Sequence, residues 1–402
     1  MHCLYLAQRV PYPPNKGEKL RSFHQINYLR AQQVDITVAA PYENEEELPY
    51  FESLSQGYGC KTLMQPLGNK LLRYLRGVFR GQSLSEAHFH CIALQQKIDS
   101  ALTTEQFDAI VCTASSMASY IFHSEILNKL SKKPRLIMDF MDMDSYKWHQ
   151  YAQNAGLPMR WVYHREAALV SRLENRIGEH FDACFFVAPP ETELYRKQVG
   201  KAKAKILSIG NGIDPGEFYP GQTSQSSNTP HLLFAGVMDY TPNVDAMLWF
   251  YTEVWPSVIS AWPDATLTIA GMNPTPAIAK LDGIDNVKVT GFVEDILPYF
   301  HNSNIFIAPF RIARGIQNKI LQAFACGLPV VSTSMGAEGI RCSPGVNIEV
   351  GDEAADMFNA IERLVNDKSH FQSLRNQALA TIEQYYSWDG ILAPLLQLIE
   401  EK

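Results

Sequence analysis

Short apolar runs alternate with helix-length amphipathic stretches along the chain, and the alternation restarts at mid-length. In the first half, runs at 2–7, 35–40, 109–113, 135–139, 183–187 and 205–209 predict strands. Stretches 18–30, 92–103 and 158–178 predict helices between them. The second half repeats the pattern with strands at 231–235, 266–270, 287–290, 305–308, 330–332 and 347–350. Such alternation is the mark of an α/β doubly wound fold, a parallel sheet with helices on both faces. Polar, proline-flanked 220–230 reads as a linker. The expected architecture is two Rossmann-like domains, 1–220 and 221–387, facing across a cleft, with ligands at the carboxyl ends of the strands. A last helix, 388–402, has no strand after it and is expected to cross back to the first domain.

Composition narrows the function. The 402 residues exceed what one core usually serves. Thirty-five Lys+Arg against 42 Asp+Glu give a net charge of −7, which argues against a protein that coats nucleic acid. The 7 cysteines are scattered without a C-x-x-C pair, as in a cytoplasmic protein with reduced thiols. The N-terminus reads as a strand rather than a signal peptide. No stretch approaches the ~20 apolar residues that span a bilayer. Any membrane contact is therefore expected to be peripheral, on the cytoplasmic face of the inner membrane.

Segment 70–80 is the candidate for that contact. Arg73, Arg76 and Arg80 recur at helical spacing, with Leu71, Leu72, Leu75 and Phe79 for the other face. It reads either as a helix resting on anionic lipid or as a surface helix whose apolar side enters the core. His88 and His90 would share a face on a strand; without a third ligand they read as a surface pair rather than a zinc site.

Neither first β–α turn carries G-x-G-x-x-G, and no Walker A motif is present, so dehydrogenase and ATPase readings fall away. The first turn is stiffened by Pro11, Pro13 and Pro14, and Gly17 opens the next helix. It reads either as a ligand-approaching loop, with Lys16 beside it, or as a rigid connection. Near 317–327 a helix follows strand 305–308 and ends at Gly327, a natural C-cap. Free N–H groups at its start, with Arg311, Arg314 and Lys319, suit a diphosphate; the alternative is a basic surface turn. Asp142-Met143-Asp144 after strand 135–139 reads three ways: a metal-binding pair, a cleft wall orienting an acceptor hydroxyl with Asp139, or a helix cap through Asp144 or Ser145.

Asn211-Gly212-Ile213-Asp214 with Phe218 and Pro220, Gly291-Phe292-Val293 with Asp295, Pro309, the run 323–331, and Tyr386-Ser387-Trp388 follow one another along the chain. In that order they resemble glycosyltransferase family 4. The stretches 139–148 and 236–243 are similar to the sugar-transferase branch associated with bacterial exopolysaccharide and PEP-CTERM/exosortase systems. The resemblance implies a GT-B fold and a retaining transfer without metal or other cofactor. It puts a nucleoside-diphosphate sugar donor on the C-terminal domain and a glycan or lipid-linked acceptor on the N-terminal one.

The candidate donor residues are Gly17, Gly236, Gly291, Phe292, Val293, Arg311, Arg314, Gly315, Asn318, Lys319 and Gln322. Lys16 and Asp139 are the acceptor-side candidates, and Asp142 and Asp144 the catalytic ones. The chain departs from the family where two glutamates eight positions apart are usual: Arg314 and Gln322 stand there. Met238 and Pro242 occupy the loop that usually supplies Arg and Lys, and 114–118 lacks the usual histidine. Arg314 and Lys319 are placed to replace the missing positive charge. The departures leave two other readings open, a non-catalytic GT-B partner subunit and a nucleotide-sugar epimerase.

Overall fold

The computed structural model describes residues 1–14, 17–221, 228–312 and 316–401. The chain divides into one unit of Met1–Asn211 with Leu392–Lys402 and a second of Gly212–Ile391. The divide therefore falls ahead of the polar stretch 220–230.

The first unit holds a seven-stranded parallel sheet of β1 (His2–Leu6), β2 (Asp35–Tyr42), β3 (Lys61–Pro66), β4 (Ala109–Thr113), β5 (Arg135–Met141), β6 (Ala183–Phe186) and β7 (Lys205–Ser208). Their order is β3-β2-β1-β4-β5-β6-β7, the Rossmann order with an added edge strand. The central strands are apolar because helices bury both faces: every residue of β4 and β6 is buried. β3 escapes the apolar-run reading. It is an edge strand, Lys-Thr-Leu-Met-Gln-Pro, without a fully buried position.

The second unit repeats the design with β8 (His231–Ala235), β9 (Thr266–Ala270), β10 (Val287–Val289), β11 (Ile305–Ala308), β12 (Val330–Ser332) and β13 (Glu349–Val350). Its order is β10-β9-β8-β11-β12-β13, again all parallel. Two family-like motifs acquire a structural reason here. A Cβ on Gly212 would sit 2.6 Å from Trp388 Cδ2, and the Ile213 N–H donates to Tyr386 O at 2.8 Å. Gly212-Ile213 and Tyr386-Ser387-Trp388 are thus two sides of one packed seam. The helix Trp388–Glu400 then continues into the first unit, where Glu401 pairs with Arg135 (3.1 Å) and Lys205 (2.8 Å).

Two local readings change in the structure. His88 lies on a helix, Leu84–Phe89, whose capping box of Ser83 and Glu86 overrides strand geometry. Segment 70–80 does form a helix, Lys70–Phe79, but its apolar side does not enter the core. Arg73, Tyr74 and Gly77 face inward, and Gly77 lets the backbone approach Ala87, whose Cβ would lie 2.3 Å from a Cβ at that position. Leu71, Leu72, Leu75, Val78 and Phe79 face solvent, Leu72 at 65% and Phe79 at 88% exposure.

Candidate functional site

A cavity of about 750 Å³ in the second unit opens at the carboxyl ends of β8, β9 and β10. Two loops make its floor by close backbone approach. The Gly236 N–H donates to Ala270 O (2.9 Å) and the Met238 N–H to Met272 O (2.8 Å). Gly271 sits at φ 144°, where a Cβ would stand 1.7 Å from Gly236 O. Only glycine fits there. Gly271→Ala is expected to destabilise the fold by about 1–3 kcal/mol through overpacking, measured as a lowered urea midpoint. A midpoint equal to the native one would show that the loops yield.

Helix Asn318–Ala325 supplies the opposite wall with Asn318, Lys319 and Gln322, and Gly327 closes it in the left-handed conformation (φ 67°). Lys319 is unusually situated. It is a cation in the first turn of a helix, where the dipole is already positive. Its Nζ donates to Asn243 Oδ1 at 2.7 Å and lies 4.9 Å and 4.8 Å from the ring centres of Phe234 and Phe310. Among the described residues it pairs with no carboxylate, and burial lowers its pKa to about 8. Two positive contributions, partly desolvated and uncompensated, make this end of the cavity a seat for an anion.

Asn243 is the hinge of the arrangement. It is buried, and its Nδ2 donates to Val237 O at 2.8 Å while Oδ1 receives Lys319. Gly236 must lack a side chain for the same reason: a Cβ there would lie 2.8 Å from both Lys319 Nζ and Asn243 Nδ2. At the mouth, Phe292 (70% exposed), Tyr240 and Met272 leave apolar faces uncovered.

The cavity thus gathers Gly236, Phe292, Val293, Asn318, Lys319 and Gln322 from the sequence candidates. Gly291 adjoins it in the left-handed region at φ 64°. Arg311 is not part of the lining: Asp245 takes its guanidinium at 2.5 Å and 3.1 Å. Arg314, Gly315 and Lys16 lie outside the described residues. Gly17 opens helix Gly17–Ala31 of the first unit. Sequence reasoning missed Asn243 and Gly271; the signals were an asparagine closing the stretch 236–243 and a glycine directly after β9.

Asp139 is corrected. It is fully buried at the end of β5 and cannot face an acceptor. Its Oδ2 accepts from Arg21 Nε and Gln25 Nε2, both at 2.6 Å, and Oδ1 from the Met141 N–H at 3.0 Å. Arg21 also donates to Ile209 O, Gly210 O and Asn211 Oδ1, all at 2.8 Å. The carboxylate is a structural anchor for the chain up to Asn211.

Asp142 and Asp144 stay near the surface and share Lys147, which contacts Asp142 directly and Asp144 at 3.9 Å. Asp144 also accepts from Ser115 Oγ at 3.3 Å, and desolvation raises its pKa. Neither Asp144 nor Ser145 caps helix Asp144–Asn154. Glu191 accepts the Met143 N–H (3.2 Å) and Glu174 the Ser145 N–H (3.0 Å), so carboxylates from elsewhere in the unit cap it.

Residues 229–367, which carry the cavity, match the family model for glycosyl transferases group 1. The chain is similar to an uncharacterized 44.6 kDa protein of the cps region of Klebsiella pneumoniae. Identity is 22%, covering 98% of each chain. It is also similar to a GDP-mannose-dependent monoacylated alpha-(1-6)-phosphatidylinositol monomannoside mannosyltransferase of Corynebacterium glutamicum. That identity is 23%, over 57% of this chain and 64% of the other. Among solved structures, Anabaena HepE in complex with UDP and glucose aligns with a TM-score of 0.61 at 14% identity, covering 100% of this chain and 99% of that one. The two parallel Rossmann-like sheets are those of the GT-B fold.

Proposed function

We infer that the protein is a glycosyltransferase that takes a nucleoside-diphosphate sugar in the cavity of the second unit. The observation that carries this reading is Lys319, a desolvated cation at a helix start with no carboxylate partner among the described residues. A diphosphate supplies what that site lacks: charge opposite to Lys319 and acceptors for the helix N–H groups. The base lies against the uncovered faces beside Gly291, Phe292 and Val293, and Gln322 hydrogen-bonds the ribose in place of a carboxylate. The UDP complex of HepE supports a nucleotide at this kind of fold.

Transfer proceeds with retention and without a metal. The bond from the sugar's anomeric carbon to the diphosphate breaks, an acceptor hydroxyl oxygen bonds that carbon, and its proton leaves with the diphosphate. Lys319 stabilises the departing charge. Lys147 already occupies Asp142 and Asp144, which supports an acceptor-side role for that pair over cation binding. The cps-region relative supports capsule or other exopolysaccharide biosynthesis as the setting.

The acceptor is glycan or lipid-linked, and the outward apolar face of helix Lys70–Phe79 supports contact with an anionic membrane surface. Leu72→Glu with Leu75→Glu is expected to weaken binding to anionic vesicles by about tenfold. Thermal stability should stay unchanged, because both side chains already face water. Unaltered flotation with the vesicles would remove the helix from this role.

Donor binding is tested by calorimetric titration with UDP, GDP and dTDP. One nucleotide binding with an affinity that Lys319→Met weakens about 10- to 100-fold is the expected result. Heat from none of the three would overturn the reading in favour of a partner subunit without catalysis.

A further inference from the structure

The outward helix Lys70–Phe79 ends at Arg80, and there a second cavity of about 510 Å³ opens in the first unit. Arg80 lines it together with Arg172 and Arg176 from the long helix Met159–His180. Positions 161, 165, 172 and 176 fall on one stripe of that helix by its 3.6-residue period. Arg165 of this stripe fastens it to the segment after Arg80, donating to Gln82 O at 3.3 Å, and Glu166 accepts the Leu84 N–H at 2.6 Å.

The charges are unbalanced. Arg80 and Arg172 hold no carboxylate among the described residues, and Arg176 lies over the Phe122 ring at 3.8 Å. The acidic residue in the lining, Glu86, is already engaged, accepting from the Ser83 N–H (3.1 Å), Ser83 Oγ (3.0 Å) and Ser119 Oγ (3.2 Å). Three guanidiniums therefore bound a space large enough for a phosphate group, and planar forks suit phosphate oxygens. An apolar side chain adjoins it: Phe79, 88% exposed, directly precedes Arg80.

We propose that Arg80, Arg172 and Arg176 form a phosphate-binding site, distinct from the donor cavity, that takes the phosphate of an anionic lipid headgroup while Phe79 meets the apolar region beneath it. The lipid source of that phosphate rests on the membrane reading above; the phosphate chemistry rests on the arginines alone. The site gives the membrane contact a chemical preference, for an accessible phosphomonoester over a zwitterionic surface.

The test compares vesicles of phosphatidylcholine alone with vesicles containing phosphatidic acid, and adds inorganic phosphate as a soluble probe in calorimetry. The full chain is expected to bind the phosphatidic acid vesicles about tenfold more tightly. Arg172→Ala with Arg176→Ala should erase that gain while leaving the circular dichroism unchanged. Lys201→Ala with Lys280→Ala, which removes equal charge from exposed positions elsewhere, should keep it. Retention of the gain in the arginine variant, or equal loss in the lysine variant, overturns the site. Native protein that ignores both vesicles yet binds inorganic phosphate through Arg172 and Arg176 supports the site with a soluble ligand and overturns the membrane reading. Binding to neither overturns both.

Discussion

Lys319→Met is expected to weaken nucleoside diphosphate binding about 10- to 100-fold, the scale of one charge-assisted hydrogen bond lost from a partly desolvated site. The methionine keeps an unbranched apolar stem and removes the ammonium that lies over Phe234 and Phe310. The same residue sets a pH dependence. With a pKa lowered to about 8, Lys319 of the free protein sheds its proton as pH rises through that value. Affinity for the diphosphate therefore falls above pH 8, and the weaker binding of the Met variant lacks this dependence. Stability moves the other way. Between about 8 and the ordinary 10.5 the unfolded chain holds the extra proton, so native stability rises with pH across that window. Calorimetry across this range reads the first effect and urea titration the second. Native affinity that is flat from pH 7 to 9 would remove Lys319 from the diphosphate.

Asp139→Ala is expected to destabilise the first unit by about 3–5 kcal/mol, the cost of stranding a buried cation. Arg21 is 1% exposed, and Gln25 and the Met141 N–H would lose their acceptor as well. Removing both charges together, as Arg21→Met with Asp139→Leu, should cost less than the two single changes summed, because neither charge is then left unpaired. Urea unfolding of the four proteins reads this coupling directly. Additive losses would mean that the two residues act independently, and the anchoring role assigned to the pair would fall.

These two residues mark what a sequence conceals. A carboxylate at the end of a strand reads the same whether it faces a ligand or a buried arginine, and the arginine that decides it belongs to another helix of the unit. The helix Lys70–Phe79 shows the same limit: its period was legible, but which face turns outward depended on Gly77 meeting Ala87. β3, an edge strand with Lys, Thr, Gln and Pro among its six residues, lacks the apolar run that marked the other strands. Lys319 could be placed at a helix start from the strand–loop–helix pattern and the Gly327 cap. Asn243 and Gly271 could not: the first matters through Lys319 on a distant helix, and the second where the loops after β8 and β9 touch.

The most direct test of the central claim is a nucleotide-release assay on the purified chain. UDP-, GDP- and dTDP-sugars are offered with and without a bacterial membrane lipid extract. The account predicts release from one donor that depends on the extract and disappears in Lys319→Met. Release that proceeds equally without any acceptor, or that survives loss of Lys319, would contradict it.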